Sequence, residues 1–161
     1  MKVLFIDWST GYDSVDQVKK GLTGGRVTWL RELPDALWQL GIDCAVWTDA
    51  EQDGTSRAGV PWFSKDHHEW ILRQAWDVLV LLRGIHTAWP EVTARHRVLV
   101  VRDLPHWGFI REPKLMRGFS MVVAGSRYAA DLWRCYCKEI RKVSIIPNGV
   151  DTSLFYPREK D

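Results

Sequence analysis

Short runs of apolar residues, each ended by a polar residue or a turn, recur along the whole chain. Seven runs predict strands, and most lack the alternation of a half-exposed strand, so they are expected to be buried on both faces. The runs occupy residues 3–6, 44–47, 60–63, 78–82, 98–101, 121–124 and 143–146. The first of them is expected to be the central strand of a sheet.

The segment 26–40 has helical spacing. Its apolar residues fall three and four apart on one face, and Gly41 is placed as the stop. These residues are Val27, Leu30, Leu33, Leu37 and Leu40. Pro34 lies inside the segment and predicts a kink or a new helix start, because proline removes a helical hydrogen bond.

Three further helices are predicted between the later strands. They cover residues 66–74, residues 87–96 with an interruption near Pro90, and a segment from a cap at Ser126 to about residue 139. Strands that alternate with helices are typical of a parallel sheet covered on both faces. The sequence therefore predicts an α/β fold.

The composition is that of one globular domain. The chain has 161 residues, of which 46% are hydrophobic and 26% charged. Its 22 basic and 20 acidic side chains leave a net charge of +2, which is too balanced for a nucleic-acid-binding surface. We therefore expect no nucleic acid among the partners.

Cysteine usage and hydropathy predict a cytoplasmic protein. The three cysteines, Cys44, Cys135 and Cys137, are odd in number and lack Cys-x-x-Cys spacing, so neither a disulfide framework nor a zinc site is indicated. The opening MKVLFID does not have the apolar segment and cleavage site of a signal peptide. No apolar run reaches the ~20 residues of a membrane helix, so any membrane contact is expected to be peripheral.

The stretch IIPNGVDTSLFYP, residues 145–157, follows the last predicted strand. Pro147 cannot donate to a sheet ladder, and Asn148-Gly149 is a turn dipeptide, so the domain is placed at 1–147 and a linker at 148–161. The order Pro-Asn-Gly-Val-Asp, then Phe-x-Pro, resembles the inter-domain connection of the family 4 retaining glycosyltransferases. These are two-domain GT-B enzymes. The ordinary alternative is an Asn-Gly turn followed by a disordered tail.

A second match to this family lies at Gly24-Gly25-Arg26. The stretch TGGRVTWLRELPDALWQLGIDCAVWT resembles the family pattern of a Gly-Gly pair, an amphipathic helix and a second strand. Glycines allow close approach of a ligand, and free amides at a helix start favour a phosphate. In the family this loop borders both the acceptor and the donor phosphates. The alternative is a plain turn, and the dinucleotide fingerprint G-x-G-x-x-G is absent.

Charged residues follow the fifth strand. The family commonly has His-Asp there, with the histidine touching the transferred sugar, whereas this chain has Arg102 and Asp103, and then His106. By its chemistry, Asp103 is a candidate to position or deprotonate an acceptor hydroxyl, and Arg102 is a candidate to hold a phosphate or a carboxylate-bearing acceptor. The alternative is that Arg102 and Asp103 are an ordinary surface pair at the end of the strand.

Other candidate binding residues follow neighbouring strand ends. Ser126 is first a helix cap. The stretch FSMVVAGSRYAADL also resembles the family's strand that ends in Ser, which implies a role for Ser126 in acceptor binding, and Arg127 adds charge beside it. Arg83 and Gly84 follow the fourth strand. The resemblance implies that Asn148, Gly149 and Asp151 form a hinge between this domain and a second one. Among the ten tryptophans, Trp8, Trp89 and Trp107 lie next to strand ends and are candidates to stack on a sugar. Adjacent His67 and His68 point apart on a helix, so no metal site is predicted.

The resemblance implies a Rossmann-like, doubly wound, mainly parallel seven-stranded sheet with helices on both faces, the N-terminal half of a GT-B fold. It implies that this domain binds the acceptor in a glycosyltransferase that retains the configuration of the transferred sugar. The donor is expected to be a UDP- or GDP-sugar, which is a substrate and not a cofactor. The acceptor is expected to be a saccharide or another hydroxyl-bearing molecule. A C-terminal donor domain is expected after the hinge, so this chain is expected to be inactive alone. The alternatives are a non-catalytic glycan-binding or partner subunit that docks on a separate donor-binding chain, and a generic doubly wound domain.

Overall fold

The computed structural model describes residues 1–8, 25–82, 90–101, 105 and 116–149. Within these ranges the strands are β1 Lys2–Asp7, β2 Asp43–Thr48, β3 Gly54–Thr55, β4 Pro61–Phe63, β5 Trp76–Leu82, β6 Ala94–Val101, β7 Met121–Ala124 and β8 Val143–Ile145. The described α-helices are α1 Gly25–Gln39, α2 His68–Arg73 and α3 Arg127–Tyr136, and a 3-10 helix Lys65–His67 precedes α2. The protein is therefore α/β, as predicted.

The eight strands form one sheet in the order β3-β4-β2-β1-β5-β6-β7-β8. All neighbours are parallel except β3 and β4, which are antiparallel. All seven predicted strands are present. The prediction of seven strands was nevertheless wrong by one, because β3 consists of two residues inside a polar, turn-rich stretch and has no apolar run to identify it.

The sheet has a hydrophobic core on each face. Leu30 of α1 is fully buried on the face that carries Val3 and Phe5. Ile71 of α2 and Trp133 of α3 are buried on the opposite face. Because alternate residues of a strand point to opposite faces, β1 serves both cores, and its continuous apolar run is explained.

Helix α1 continues through Pro34 without a break, so the predicted new start at this proline is wrong. The predicted stop is confirmed. Gly41 has a φ of 79°, and its N–H donates to Trp38 O at 2.9 Å, while Ile42 N–H donates to Leu37 O at 3.0 Å. This is a Schellman motif. Leu40, expected on the apolar face, is exposed because it lies beyond the last helical turn.

Replacement of Gly41 by alanine is expected to lower the free energy of unfolding by roughly 1–2 kcal/mol, since a Cβ disfavours the left-handed conformation. Urea denaturation measures this loss. Gly125→Ala is the matched control, because Gly125 has open space around it and no positive φ. Equal stability of the two variants would contradict the assignment of strain to the backbone at residue 41.

The helix predicted over residues 87–96 is wrong in its described part. Residues 90–93 form turns and bends, and Ala94 to His96 already belong to β6. The polar start of β6 is a strand because it pairs with β5, with Trp76 opposite Ala94 and Val78 opposite His96. Helix α3 also ends at Tyr136, three residues before the predicted end.

Candidate functional site

The order of the strands selects one crevice at the edge of the sheet. The chain passes from β1 to β2 on one side, and after β4 it returns to β5 on the other side of β1. In open α/β sheets, ligands bind outside the carboxyl ends of the strands at such a switch point. The carboxyl ends of β1 and β5, where Ile6 is opposite Leu81, therefore define the candidate site.

Asp7 is the strongest functional candidate among the described side chains of this edge. It is the last residue of β1 and is fully buried, and Thr48 of β2 is opposite it in the register. Carboxylates are rarely buried completely. Sequence reasoning used Asp7 only as the end of a strand, although a carboxylate directly after a doubly buried strand could have identified it.

The end of β2 is held in place next to Asp7. Thr48 Oγ1 accepts a hydrogen bond from Ala50 N–H at 3.3 Å, and Ala50 O accepts one from Lys65 N–H at 3.3 Å. Between them, Asp49 has a buried carboxylate oxygen, Oδ1, for which the described structure contains no hydrogen-bond partner. Most buried side-chain acceptors in folded proteins have a hydrogen-bond partner, so Asp49 is a second unusual carboxylate at this edge.

Helix α1 begins at the same edge. It starts at Gly25, with Arg26 as its second residue, and it leads back to β2 at the opposite edge. The prediction of a helix start at the Gly-Gly-Arg sequence is confirmed for Gly25 and Arg26, whereas Gly24 lies outside the described residues. A phosphate role for these residues stays a prediction.

Ser126 caps helix α3 at the end of β7. Its Oγ accepts a hydrogen bond from Ala129 N–H at 3.1 Å, so the predicted cap is confirmed. The hydroxyl proton remains available for donation to another group. Ser126 and Arg127 are both exposed at this edge, so both can be reached by a ligand.

Replacement of Ser126 by alanine is expected to cost about 1 kcal/mol of stability, because the amide of Ala129 loses its acceptor. Ser126→Asp should keep most of the stability, since aspartate is an equally good cap. Thermal unfolding of the three proteins measures the difference. A Ser126→Ala variant as stable as the parent would show that the cap contributes nothing.

The chain leaves the sheet where the sequence predicts. Ile146 N–H still donates to Ala124 O at 2.9 Å, after which Pro147, Asn148 and Gly149 are exposed and make no regular structure. The hinge residue Asp151 lies outside the described residues.

Several predicted site residues cannot be placed because they fall outside the described ranges. Two of them directly follow strands that are neighbours in the sheet, since β5 ends at Leu82 and β6 at Val101. The predicted residues in this group are Gly24, Arg83, Gly84, Trp89, Arg102, Asp103, His106, Trp107 and Asp151. Their roles stay predictions.

Trp8 packs against the core at the end of β1, and its role as a stacking residue stays a prediction. It is half-buried, and its ring meets that of Trp47 edge-on at 4.8 Å between centroids. The ring of Trp47 in turn lies 5.6 Å from that of His68. Trp8 therefore closes the core at the end of β1.

The adjacent histidines have separate acidic neighbours. His67 Nδ1 lies 3.2 Å from Asp53 Oδ1, and His68 Nε2 lies 3.7 Å from Glu91 Oε2. The expectation that the two side chains point apart is confirmed. Within the described ranges, no three His, Cys, Asp or Glu side chains are grouped closely enough to bind a metal ion.

A scan of the chain against protein-family models gives no match, and a search of curated proteins gives no significant match. Among the helices of the described segments, none has both the length and the apolar composition needed to cross a membrane.

Proposed function

We propose that this chain is the acceptor-binding N-terminal domain of a retaining GT-B glycosyltransferase. The observation that carries the proposal is that three parts of the family resemblance, Gly25, Ser126 and Asn148, fall on one edge of the sheet. They begin α1, follow β7 and follow β8, respectively, and every strand concerned is parallel to β1. This is the edge that contains the switch point and the buried Asp7.

In this proposal the edge holds a hydroxyl-bearing acceptor, and a second domain brings the nucleotide sugar. Asp103 would position or deprotonate the reacting acceptor hydroxyl. Arg102 and the start of α1 would face the donor phosphates. Transfer requires both reactants to be aligned and water to be excluded, so it depends on closure of the two domains.

The proposal is tested by titrating the 161-residue chain with a panel of oligosaccharides and recording backbone amide shifts by NMR. Shifts are expected at Asp7, Thr48 and Ser126, and none at Gln39 or Gly41 on the opposite edge. Shifts confined to that opposite edge, or no binding by any glycan, would overturn the proposal. Turnover of a UDP- or GDP-sugar by the chain alone would refute the need for a second domain.

A second candidate function is a non-catalytic subunit that docks on a separate donor-binding chain. The observation that favours it is the apolar surface at the end of the edge strand β8, where Ile145 is 38% exposed and Ile146, the residue after the strand, is 60% exposed. The intact mass of the protein in its source cells separates the two candidates. A mass well above 18.7 kDa supports the two-domain enzyme, whereas 18.7 kDa supports a subunit that needs a partner chain.

A further inference from the structure

A cluster of aromatic rings and one carboxylate lies on the surface beside the carboxyl end of β4. The ring of Phe63 lies 4.8 Å from that of Trp70 and 5.1 Å from that of His67. The rings of His67 and Trp70 are 6.5 Å apart and nearly perpendicular. Asp53 adjoins the imidazole. We call these four residues the Trp70 surface.

The core does not account for the position of Trp70. In helix α2, Ile71 is the residue buried in the core, whereas the side of the helix with Trp70 faces solvent. Trp70 is 43% exposed, the one tryptophan among the exposed large hydrophobic residues of the described chain. An indole fixed by two neighbouring rings and open on its other side is suited to bind a flat apolar surface.

The carboxylate beside these rings is held in a defined orientation. Asp53 Oδ1 accepts a hydrogen bond from Ser64 N–H at 2.8 Å and lies 3.2 Å from His67 Nδ1. Although partial burial acts in the opposite direction, the hydrogen bonds from Ser64 and the nearby His67 lower the pKa of Asp53. Asp53 is thus ionised at neutral pH, and a carboxylate has lone pairs for further hydrogen-bond donors.

The Trp70 surface lies on the same edge as the proposed acceptor site. Phe63 ends β4, which is parallel to β2 and separated from β1 by that one strand. Two and a half strand spacings place Phe63 roughly 12 Å from the switch point between β1 and β5. An elongated acceptor that reaches the switch point with one end can therefore contact Trp70 with its other end.

We propose that the Trp70 surface is a distal saccharide-binding subsite of the acceptor site, an inference that rests on the proposed function. The C–H face of a sugar ring packs on the indole of Trp70, and a ring hydroxyl donates to the carboxylate of Asp53. This pairing matches both kinds of group present, because an aromatic face prefers an apolar partner and an ionised carboxylate accepts the stronger hydrogen bonds. It predicts an oligosaccharide as the acceptor.

The test is an NMR titration of the full chain with maltotriose, cellotriose and chitotriose. At least one trisaccharide is expected to shift the indole N–H signal of Trp70, and Trp70→Ala is expected to weaken its binding by about tenfold. Asp53→Asn should weaken binding severalfold, and Trp70→Phe should restore part of the affinity. Tyr136→Ala is the matched control, since Tyr136 is 55% exposed on α3, and its affinity should equal that of the parent. Far-UV circular dichroism confirms that each variant is folded.

Three results would overturn the subsite. The first is that Trp70→Ala binds the trisaccharide with the same affinity as the parent. The second is that Tyr136→Ala loses as much affinity as Trp70→Ala. The third is that the surface binds a trimethylammonium compound and no saccharide, because aromatic rings beside a carboxylate also attract cations. The failures of the two proposals differ. Shifts at Asp7 and Ser126 that persist in Trp70→Ala at unchanged affinity reject only the subsite. Shifts confined to the Trp70 surface reject the acceptor site at the switch point, and they leave the Trp70 surface as a separate saccharide-binding site.

Discussion

Replacement of Trp47 by alanine is expected to lower the free energy of unfolding by about 3–5 kcal/mol, because it removes one of the two largest fully buried side chains of the described core. Trp47 has no exposed surface. Its indole N–H donates to Ser64 O at 3.0 Å, and its ring contacts those of Trp8 and His68. The side chain thereby connects β1, β2 and the segment after β4. Urea denaturation measures the loss.

Two further variants separate packing from hydrogen bonding at this position. Trp47→Phe keeps an aromatic ring but leaves Ser64 O without its donor, and it is expected to cost about half as much as Trp47→Ala. Trp70→Ala is the matched control on the surface, with an expected loss near 1 kcal/mol. If Trp47→Ala cost no more than this control, the central position of Trp47 in the core would be refuted.

Cys44 and Cys137 are expected to be almost inert to iodoacetamide in the native protein, whereas the exposed Cys135 reacts. Burial, with smaller effects from Asp43 and Glu139, raises the pKa of each buried thiol from 9.0 to about 11. The thiolate is the reacting species. Mass spectrometry should find one label on the folded chain and three after denaturation, and rapid native labelling of Cys44 would contradict the buried position of β2.

The same two thiols predict that the protein loses stability between pH 9 and pH 11. In this window the unfolded chain releases thiol protons that the folded chain retains, because the folded pKa values are raised from 9.0 to about 11. The unfolded state then binds fewer protons, so the free energy of unfolding falls as the pH rises.

Urea midpoints across this pH range measure the slope. Cys44→Ala should reduce it, and Cys135→Ser should leave it unchanged. A slope that is the same in Cys44→Ala as in the parent would show that Cys44 does not contribute.

Most elements of the fold follow from local sequence. The apolar run at residues 3–6 predicts β1, the helical spacing up to Gly41 predicts the end of α1, and the capping residue Ser126 predicts the start of α3. The structure confirms all three. These signals are reliable because each depends on only a few neighbouring residues. They are an apolar run buried on both faces, a left-handed residue after a helix and a capping hydroxyl.

The elements that local sequence misses depend on distant partners. β3 is a strand because Gly54 and Thr55 pair with β4, and the polar start of β6 is a strand because β5 lies beside it. Helix α1 tolerates Pro34 because packing on the sheet supports it, with Leu30 buried on that face. Propensity favoured other conformations in each case, and tertiary contacts outweighed it.

The sequence by itself determined that this is an α/β domain, which residues follow its strands and where the chain leaves the sheet. Only the tertiary structure decided that β5 lies beside β1, which identifies the crevice and gives the buried Asp7 its importance. It alone brought Asp53, Phe63 and Trp70 into one surface. The physical reason is that the order of the strands depends on how the connections between them pack on the sheet. The hydrophobic pattern of a single strand contains no information about this packing.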